Sequence, residues 1–233
     1  VGYQFDWSLV LTGEYRDWLL DGFVLTLKIS ALAGVCALAL GTLVAVMRLS
    51  RVKPLEWLSL AFTEFFRNTP LLVQIFFWYF GSEAFLPKAV NVWLYKQDFE
   101  FAAGTIALTV YSSAFIAEEL RSGVFSIPKN QLEASRATGL NFLQAYRYVI
   151  LPQAFRIVIP PLISQLLNLL KNSSLVMTIG VMELTYQARQ VESFTFHGFE
   201  AFTVATLLYL AVSLSVSFAI TMYNKHFLHQ LRY

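Results

Sequence analysis

An all-α integral membrane protein with five spanning helices is the fold class this sequence predicts, and three observations predict it. Of 233 residues, 57% are hydrophobic and 14% charged, with a mean hydropathy of +0.56. That much apolar surface exceeds what one soluble core of this size can hide. The apolar residues gather into stretches of about twenty or more, the length needed to cross a hydrocarbon layer of roughly 30 Å. Basic residues also fall unevenly between these stretches. One side receives Arg48, Arg51, Lys53, Arg121, Lys129, Arg136, Arg147, Arg156, Lys225 and Arg232, the other Arg16, Lys88, Lys96 and Arg189. The richer side is predicted to be cytosolic, which puts the N-terminus outside and the C-terminus inside.

Residues 1–21 are aromatic and acidic, with Asp6, Trp7, Glu14, Asp17, Trp18 and Asp21. They lack a basic n-region and a small-residue cleavage site, so no signal peptide is read and an external arm is expected. The arm is either mobile or anchored at the interface by Trp7 and Trp18. The first span is expected from about Gly22 to Met47, and Ala33, Ala37, Gly41 and Ala45 form a smooth stripe on it where another helix can approach.

Pro54 then breaks the chain, and the second apolar region, about Leu55 to Phe80, is interrupted by Glu64, Arg67, Asn68 and Pro70. A charge at mid-bilayer costs several kcal/mol, so Arg67 is expected to snorkel to the interface or pair with Glu64. The alternative places the Arg67-Asn68-Thr69-Pro70 corner on a translocation path. An outer loop with Glu83, Lys88, Lys96, Asp98 and Glu100 leads to a third span, about Phe101 to Leu120. Its Thr105, Thr109, Ser112 and Ser113 either bond back to their own helix or face a site, and Glu118 stands near its end.

The polar island at residues 126–152 lies between the third and fourth spans. Asn130 stands three residues before Glu133, the spacing of a helix cap; Gly139 can take the left-handed conformation that closes a helix; and Asn141 with Gln144 repeats the cap for a second helix that Pro152 is expected to stop. Helix, bend and helix make a compact knob, with Leu132, Ala137, Leu140 and Phe142 as its apolar contacts.

The fourth span begins near Phe155 and should bend at Pro160-Pro161. It leads to Lys171-Asn172-Ser173-Ser174, about sixteen residues along and so more than halfway across at about 1.5 Å per residue. A cation there needs a partner: its own carboxylate Glu118, the interface, or a carboxylate-bearing solute. After an outer loop with Glu183, Arg189, Glu192, His197 and Glu200 comes the last span, about Ala201 to Tyr223. The tail carries His226 and His229, which read as interfacial anchors because two imidazoles alone make a poor metal site. No metal site is expected.

Several function classes are excluded. A net charge of +2 without a basic run gives no footprint for nucleic acid, and the single Cys36 allows no intramolecular disulfide. No nucleotide-binding glycine loop, zinc-protease helix or nucleophile-elbow pattern occurs. A catalytic constellation is therefore missing, and if ATP drives this protein, another chain binds it.

The island resembles the cytosolic loop of membrane permease subunits of ATP-binding-cassette importers. Their pattern of Glu-Ala-Ala, three residues, Gly, nine residues, Ile, one residue and Leu-Pro falls on Glu133, Ala134, Ser135, Gly139, Val149, Leu151 and Pro152, with Ser for the third Ala and Val for Ile. The Thr69-Pro70 corner with Gln74, and Leu170-Lys171-Asn172-Ser173-Ser174, are similar to the polar amino acid branch. Phe66 to Pro70 and Ala145 to Pro152 look most like glutamate/aspartate permease subunits.

The resemblance implies a type I importer permease in a bacterial inner membrane: an external arm (1–21), a permease domain (22–224) containing the coupling loop (126–152), and a cytosolic tail (225–233). Glu133, Ala134, Ser135, Gly139 and Leu140 would couple to an ATPase, while Lys171, Asn172, Ser173, Ser174, Ser112, Ser113, Glu118, Gln74 and Arg67 are candidates for the substrate pathway. Implied partners are two ATP-binding subunits that hold ATP and Mg, a second identical or homologous permease, a periplasmic amino-acid-binding protein and membrane lipid. No cofactor is expected on this chain itself. A channel or ion-coupled secondary carrier is the alternative; it accounts for polar residues inside the spans but gives no reason for the knob.

Overall fold

The computed structural model describes residues 3–50, 52–85 and 87–227, with the side chains of residues 83, 85, 93–97 and 223–227 outside the description. Arg51, His229 and Arg232 lie outside the described residues, as do the side chains of Glu83, Lys96, Lys225 and His226. The described chain is helical from end to end: α1 (Trp7–Leu11), α2 (Gly13–Leu49), α3 (Lys53–Arg67), α4 (Leu71–Phe85), α5 (Lys88–Gln97), α6 (Phe99–Phe125), α7 (Lys129–Ala137), α8 (Phe142–Ala145), a π segment (Tyr146–Ile150), α9 (Leu151–Asn172), a 3-10 segment (Ser173–Ile179), α10 (Leu184–Thr195) and α11 (Gly198–Phe227).

Four helical stretches are long and apolar enough to span a membrane, within 13–49, 99–125, 142–179 and 198–222, and the apolar part of α4, Leu71–Ser82, is a shorter fifth. This agrees with the five expected spans, although four run longer than expected and the second, expected from about Leu55 to Phe80, is divided at residues 68–70 into α3 and α4. The first span starts at Gly13, nine residues before the expected Gly22, because the arm is itself helical: Asp6 caps α1 by accepting from the amides of Ser8 and Leu9. The loop expected around Lys88 and Lys96 is instead the helix α5.

The chain divides into two compact units. The first comprises residues 1–35, 69–109 and 167–218, and the second residues 36–68, 110–166 and 219–233. In the first unit Val10 and Leu19 pack with Leu184, Ala188, Val191, Ala201 and Ala205, a cluster edged by Tyr15 and Trp18. In the second, Val44 and Ala45 pack with Ala117, Phe62 and Leu120, and Ser59 of α3 donates a 2.9 Å hydrogen bond to the carbonyl of Val44.

The smooth stripe of α2 is fully used, with Ala33, Ala37 and Ala45 buried. At Gly41 the approach is closest, since an added Cβ would stand 2.8 Å from the Ser113 carbonyl oxygen and 2.7 Å from the Ile116 side chain. Between lipid-bathed helices there is little hydrophobic drive, and such close backbone packing supplies dispersion energy in its place.

Pro152 does not stop a helix as expected. It enters the first turn of α9, and the chain widens before it: the amide of Leu151 reaches back five residues to the carbonyl of Tyr146. Proline lacks the amide that an α-helix would send to Tyr148 and its ring crowds that carbonyl, so a π turn is the local accommodation. Pro160 and Pro161 are held inside α9, where Ser164 sends its hydroxyl to the Pro160 carbonyl at 3.2 Å.

Candidate functional site

The polar island folds as helix, bend and helix, all within the second unit. Asn130 is not its cap. Pro128, extended at φ −58° and ψ 137°, precedes α7 with no side-chain hydrogen bond, so Asn130 sits in the first turn. Proline presets the backbone at a helix start and has no amide to satisfy.

The end of α7 follows the expected chemistry. Gly139 takes φ +91°, its amide bonds to the Arg136 carbonyl at 3.0 Å, and that of Leu140 reaches Ser135 at 3.4 Å. A Cβ at Gly139 would meet nothing within 4 Å, so glycine is needed there for its backbone angle alone. Asn141 and Gln144 then form a reciprocal capping box, with both bonds at 2.9 Å.

Glu133 and Ala134 are exposed, Leu140 is half-buried, and Ser135 is buried with its hydroxyl on the Leu132 carbonyl. Leu132 and Tyr146 anchor the knob by packing on Ile127, Ile150 and Ala154. Few other residues of the segment are buried, and it offers an exposed polar bend held by its own hydrogen bonds.

The proposed pathway residues divide between the units. In the second, Glu118 is held by Arg121 one helical turn on, at 2.9 and 2.5 Å. Arg67 lies 5.5 Å from the centre of the Phe115 ring, while Glu64 accepts from the Asn68 amide group instead of from Arg67. Ser112 and Ser113 are buried, and Ser113 donates to the Val110 carbonyl at 2.7 Å.

In the first unit, α9 ends at the polar cluster and tightens into the 3-10 segment, which packs against α4. Lys171 is exposed and Asn172 half-buried. Ser173 and Ser174 donate to the carbonyls of Leu170 and Lys171 at 2.7 and 2.8 Å. Gln74, buried on α4, donates to the Thr69 hydroxyl at 2.7 Å. Ser173 is fully buried, whereas half-buried Ser174, its proton turned to the backbone, offers lone pairs and exposed Lys171 offers only donors. Such a set has one end for an anion and another for an ammonium.

One polar centre escaped the sequence reading, which took Glu183 for a loop charge. It is fully buried in the first unit, caps α10 through the Tyr186 amide at 2.9 Å, and accepts from the Tyr209 hydroxyl at 2.7 Å and the Thr26 hydroxyl at 3.2 Å. Burial pushes its carboxyl above the usual range, against the opposing pull of these hydrogen bonds. The available signal was a carboxylate three residues before the amide it caps, at the end of an apolar run.

Comparisons with known proteins agree with this architecture. The family model described as "Binding-protein-dependent transport system inner membrane component" matches residues 37–229. The chain is 45% identical over 206 residues to the probable glutamine ABC transporter permease protein GlnM of Bacillus subtilis (strain 168), covering 88% of this chain and 91% of that protein. It is 32% identical over 216 residues to the glutamate/aspartate import permease protein GltJ of Escherichia coli (strain K12), covering 91% and 87%. The crystal structure of an amino acid ABC transporter with histidines superposes with a TM-score of 0.85 at 31% identity, covering 96% of this chain and all of that one. The inward-facing MetNI methionine ABC transporter, at 22% identity and a TM-score of 0.64, shares the fold. With a family model spanning most of its length and two relatives above 30% identity, this chain has the type I importer permease fold and belongs to the family of binding-protein-dependent transport system inner membrane components.

Proposed function

We propose that this chain is the permease subunit of an ATP-driven importer of polar amino acids, glutamine or an acidic amino acid foremost, and that the α7–Gly139–α8 knob transmits the work of a separate ATPase to the spans. The observation that carries the reading is the knob itself: an exposed helix, a left-handed glycine and a boxed second helix, leading through a π turn directly into a spanning helix. A push on the knob reaches α9 without an intervening flexible loop. The knob faces the cytosol, the N-terminus lies outside, and Glu133, Ala134, Ser135, Gly139 and Leu140 meet a groove of the ATPase. Two ATP-binding subunits, a second permease and an external binding protein complete the machine. Nucleotide closure of the ATPases then favours the outward-open spans, and by reciprocity a loaded binding protein outside favours the closed ATPases.

Lys171 is the pathway residue of first interest, with the carboxylate of the cargo as its partner and the lone pairs of Ser174 near the ammonium. Two variants of the assembled importer in proteoliposomes test these roles separately. Gly139→Leu, which forces a bulky residue to positive φ, should abolish uptake and substrate-stimulated ATP hydrolysis together; normal rates in both overturn the coupling role. Lys171→Met should weaken uptake and leave assembly and basal hydrolysis intact, and unchanged uptake kinetics remove it from the pathway. Transport by this chain without nucleotide would favour the secondary-carrier alternative.

A further inference from the structure

Two cavities of the second unit adjoin one another at the α7 end of the spans, and their linings differ in kind. One, of about 380 Å3, has the charged side chains of Arg48, Glu56, Lys129 and Glu133 set in an otherwise mostly apolar lining that includes Ile127, Leu132 and Ile150. The other, of about 240 Å3, is a slot between α2, α6 and α9 whose surface is almost wholly apolar, with Val46, Leu120, Ala154 and Phe155 in its walls. Leu49 and Val124 belong to both, so a single molecule can occupy the pair. From Thr42 to Leu49 the slot follows about two turns of α2, or roughly 10 Å at 1.5 Å per residue.

We propose that these cavities together bind one phospholipid with a zwitterionic, amine-bearing headgroup, its acyl chain in the slot and its phosphoethanolamine in the charged cavity. Polarity sets the two ends. A dry groove within a spanning bundle suits a hydrocarbon chain, and a charged cavity beside the last turn of the span lies at the depth of the headgroups.

Charge selects the headgroup. Two cations and two carboxylates line the cavity, and Glu56 is in addition 3.3 Å from Lys53. A purely anionic headgroup would meet Glu133 and Glu56, whereas a phosphate on Arg48 and Lys129 with an ammonium on Glu133 satisfies both signs. Arg48 spends one guanidinium hydrogen on the Glu56 carbonyl at 3.1 Å and keeps others for phosphate. Choline is disfavoured because it has no N–H for the carboxylates. The rings that would have to cage it are engaged elsewhere, Phe125 under the Arg121 guanidinium at 5.3 Å and Tyr146 against Phe142 at 4.5 Å. The proposal does not rest on the assignment of cargo; it shares Glu133 with the proposed coupling surface, so the lipid is titrated on the chain without ATPase.

The test is titration of the purified, delipidated full chain in detergent with dioleoyl phosphatidylethanolamine, phosphatidylcholine and phosphatidylglycerol, with bound lipid counted by native mass spectrometry. Phosphatidylethanolamine should bind once per chain and about tenfold more tightly than either of the others, the equivalent of one charge-assisted hydrogen bond. Val46→Trp, at an exposed wall residue, should fill the slot and cut that binding about tenfold with an unchanged melting temperature. If it lowers the melting temperature, Thr42→Phe, also exposed, takes its place. Equal binding of the three lipids overturns the headgroup assignment, and wild-type retention of phosphatidylethanolamine by the slot-filled variant overturns the site.

Discussion

Helices α1 and α10 of the first unit each begin at a carboxylate, and they use it in opposite ways. Asp6 opens α1 at the surface, accepting from Ser8 and Leu9, and the Ser8 hydroxyl leads the interactions that hold its carboxyl below the usual range. Glu183 opens α10 fully buried, tied to α2 by Thr26 and to α11 by Tyr209, and burial holds its carboxyl above that range. Capping chemistry is the same in both; water decides the sign. An exposed cap is a local device, whereas a buried one becomes a junction for three helices whose desolvation cost its hydrogen bonds offset only in part.

The largest break in this comparison is Glu183→Ala, which removes a cap and leaves the Tyr209 hydroxyl with Thr185 at 3.2 Å as its partner. It should cost about 2–4 kcal/mol, read as a lower melting temperature in detergent. Glu183→Gln keeps an acceptor for α10 and should cost less, but it erases a pH dependence. Because the folded carboxyl takes a proton more readily than the unfolded one, its stabilisation is full below the unfolded value and is lost as pH rises through the raised folded value. Melting curves of the variant should lack that decline with rising pH.

Next in size comes Asn141→Ala in the knob, where loss of one arm of the capping box should cost about 1 kcal/mol. The segment is exposed, so the effect should appear as faster amide exchange in α8 with little change in global melting. Smallest is Asp6→Asn, which retains a cap. Asp6 contributes stability above its unfolded value and loses it as pH falls through the lowered folded value, so the variant should show a shallower acid limb and an unchanged melting temperature near neutrality.

Much of this architecture was legible in the chain because apolar length and turn chemistry are local properties. The spans, the stripe of Ala33, Ala37, Gly41 and Ala45, the positive φ of Gly139 and the box of Asn141 with Gln144 all follow from residues within a few positions of each other. Competition between local signals misled at Asn130, where the fixed dihedral of Pro128 starts the helix earlier than a capping side chain would. At Pro152 the missing amide produced a widened turn where a stop was expected, since the apolar run beyond it favours continuing the helix. The Glu183 junction depends on Thr26 and Tyr209, 157 and 26 residues away, and no short-range pattern encodes such a meeting. Nor did spacing reveal that Glu118 prefers Arg121, although three positions apart on one helix is an ordinary pairing distance.

The π turn at Tyr146–Ile150 carries a consequence for chain length. Each of its hydrogen bonds spans one more residue than in an α-helix, so it resets the phase of all that follows by one position, about 100° around the axis. The side of α9 that holds Ala154 and Val158 inward is thereby indexed to the glycine bend by a fixed count. Deleting a single residue of the π turn would let the helix run regularly with that side still facing inward, so this short connection absorbs the loss of one residue more readily than the regular turns of α9 that follow it.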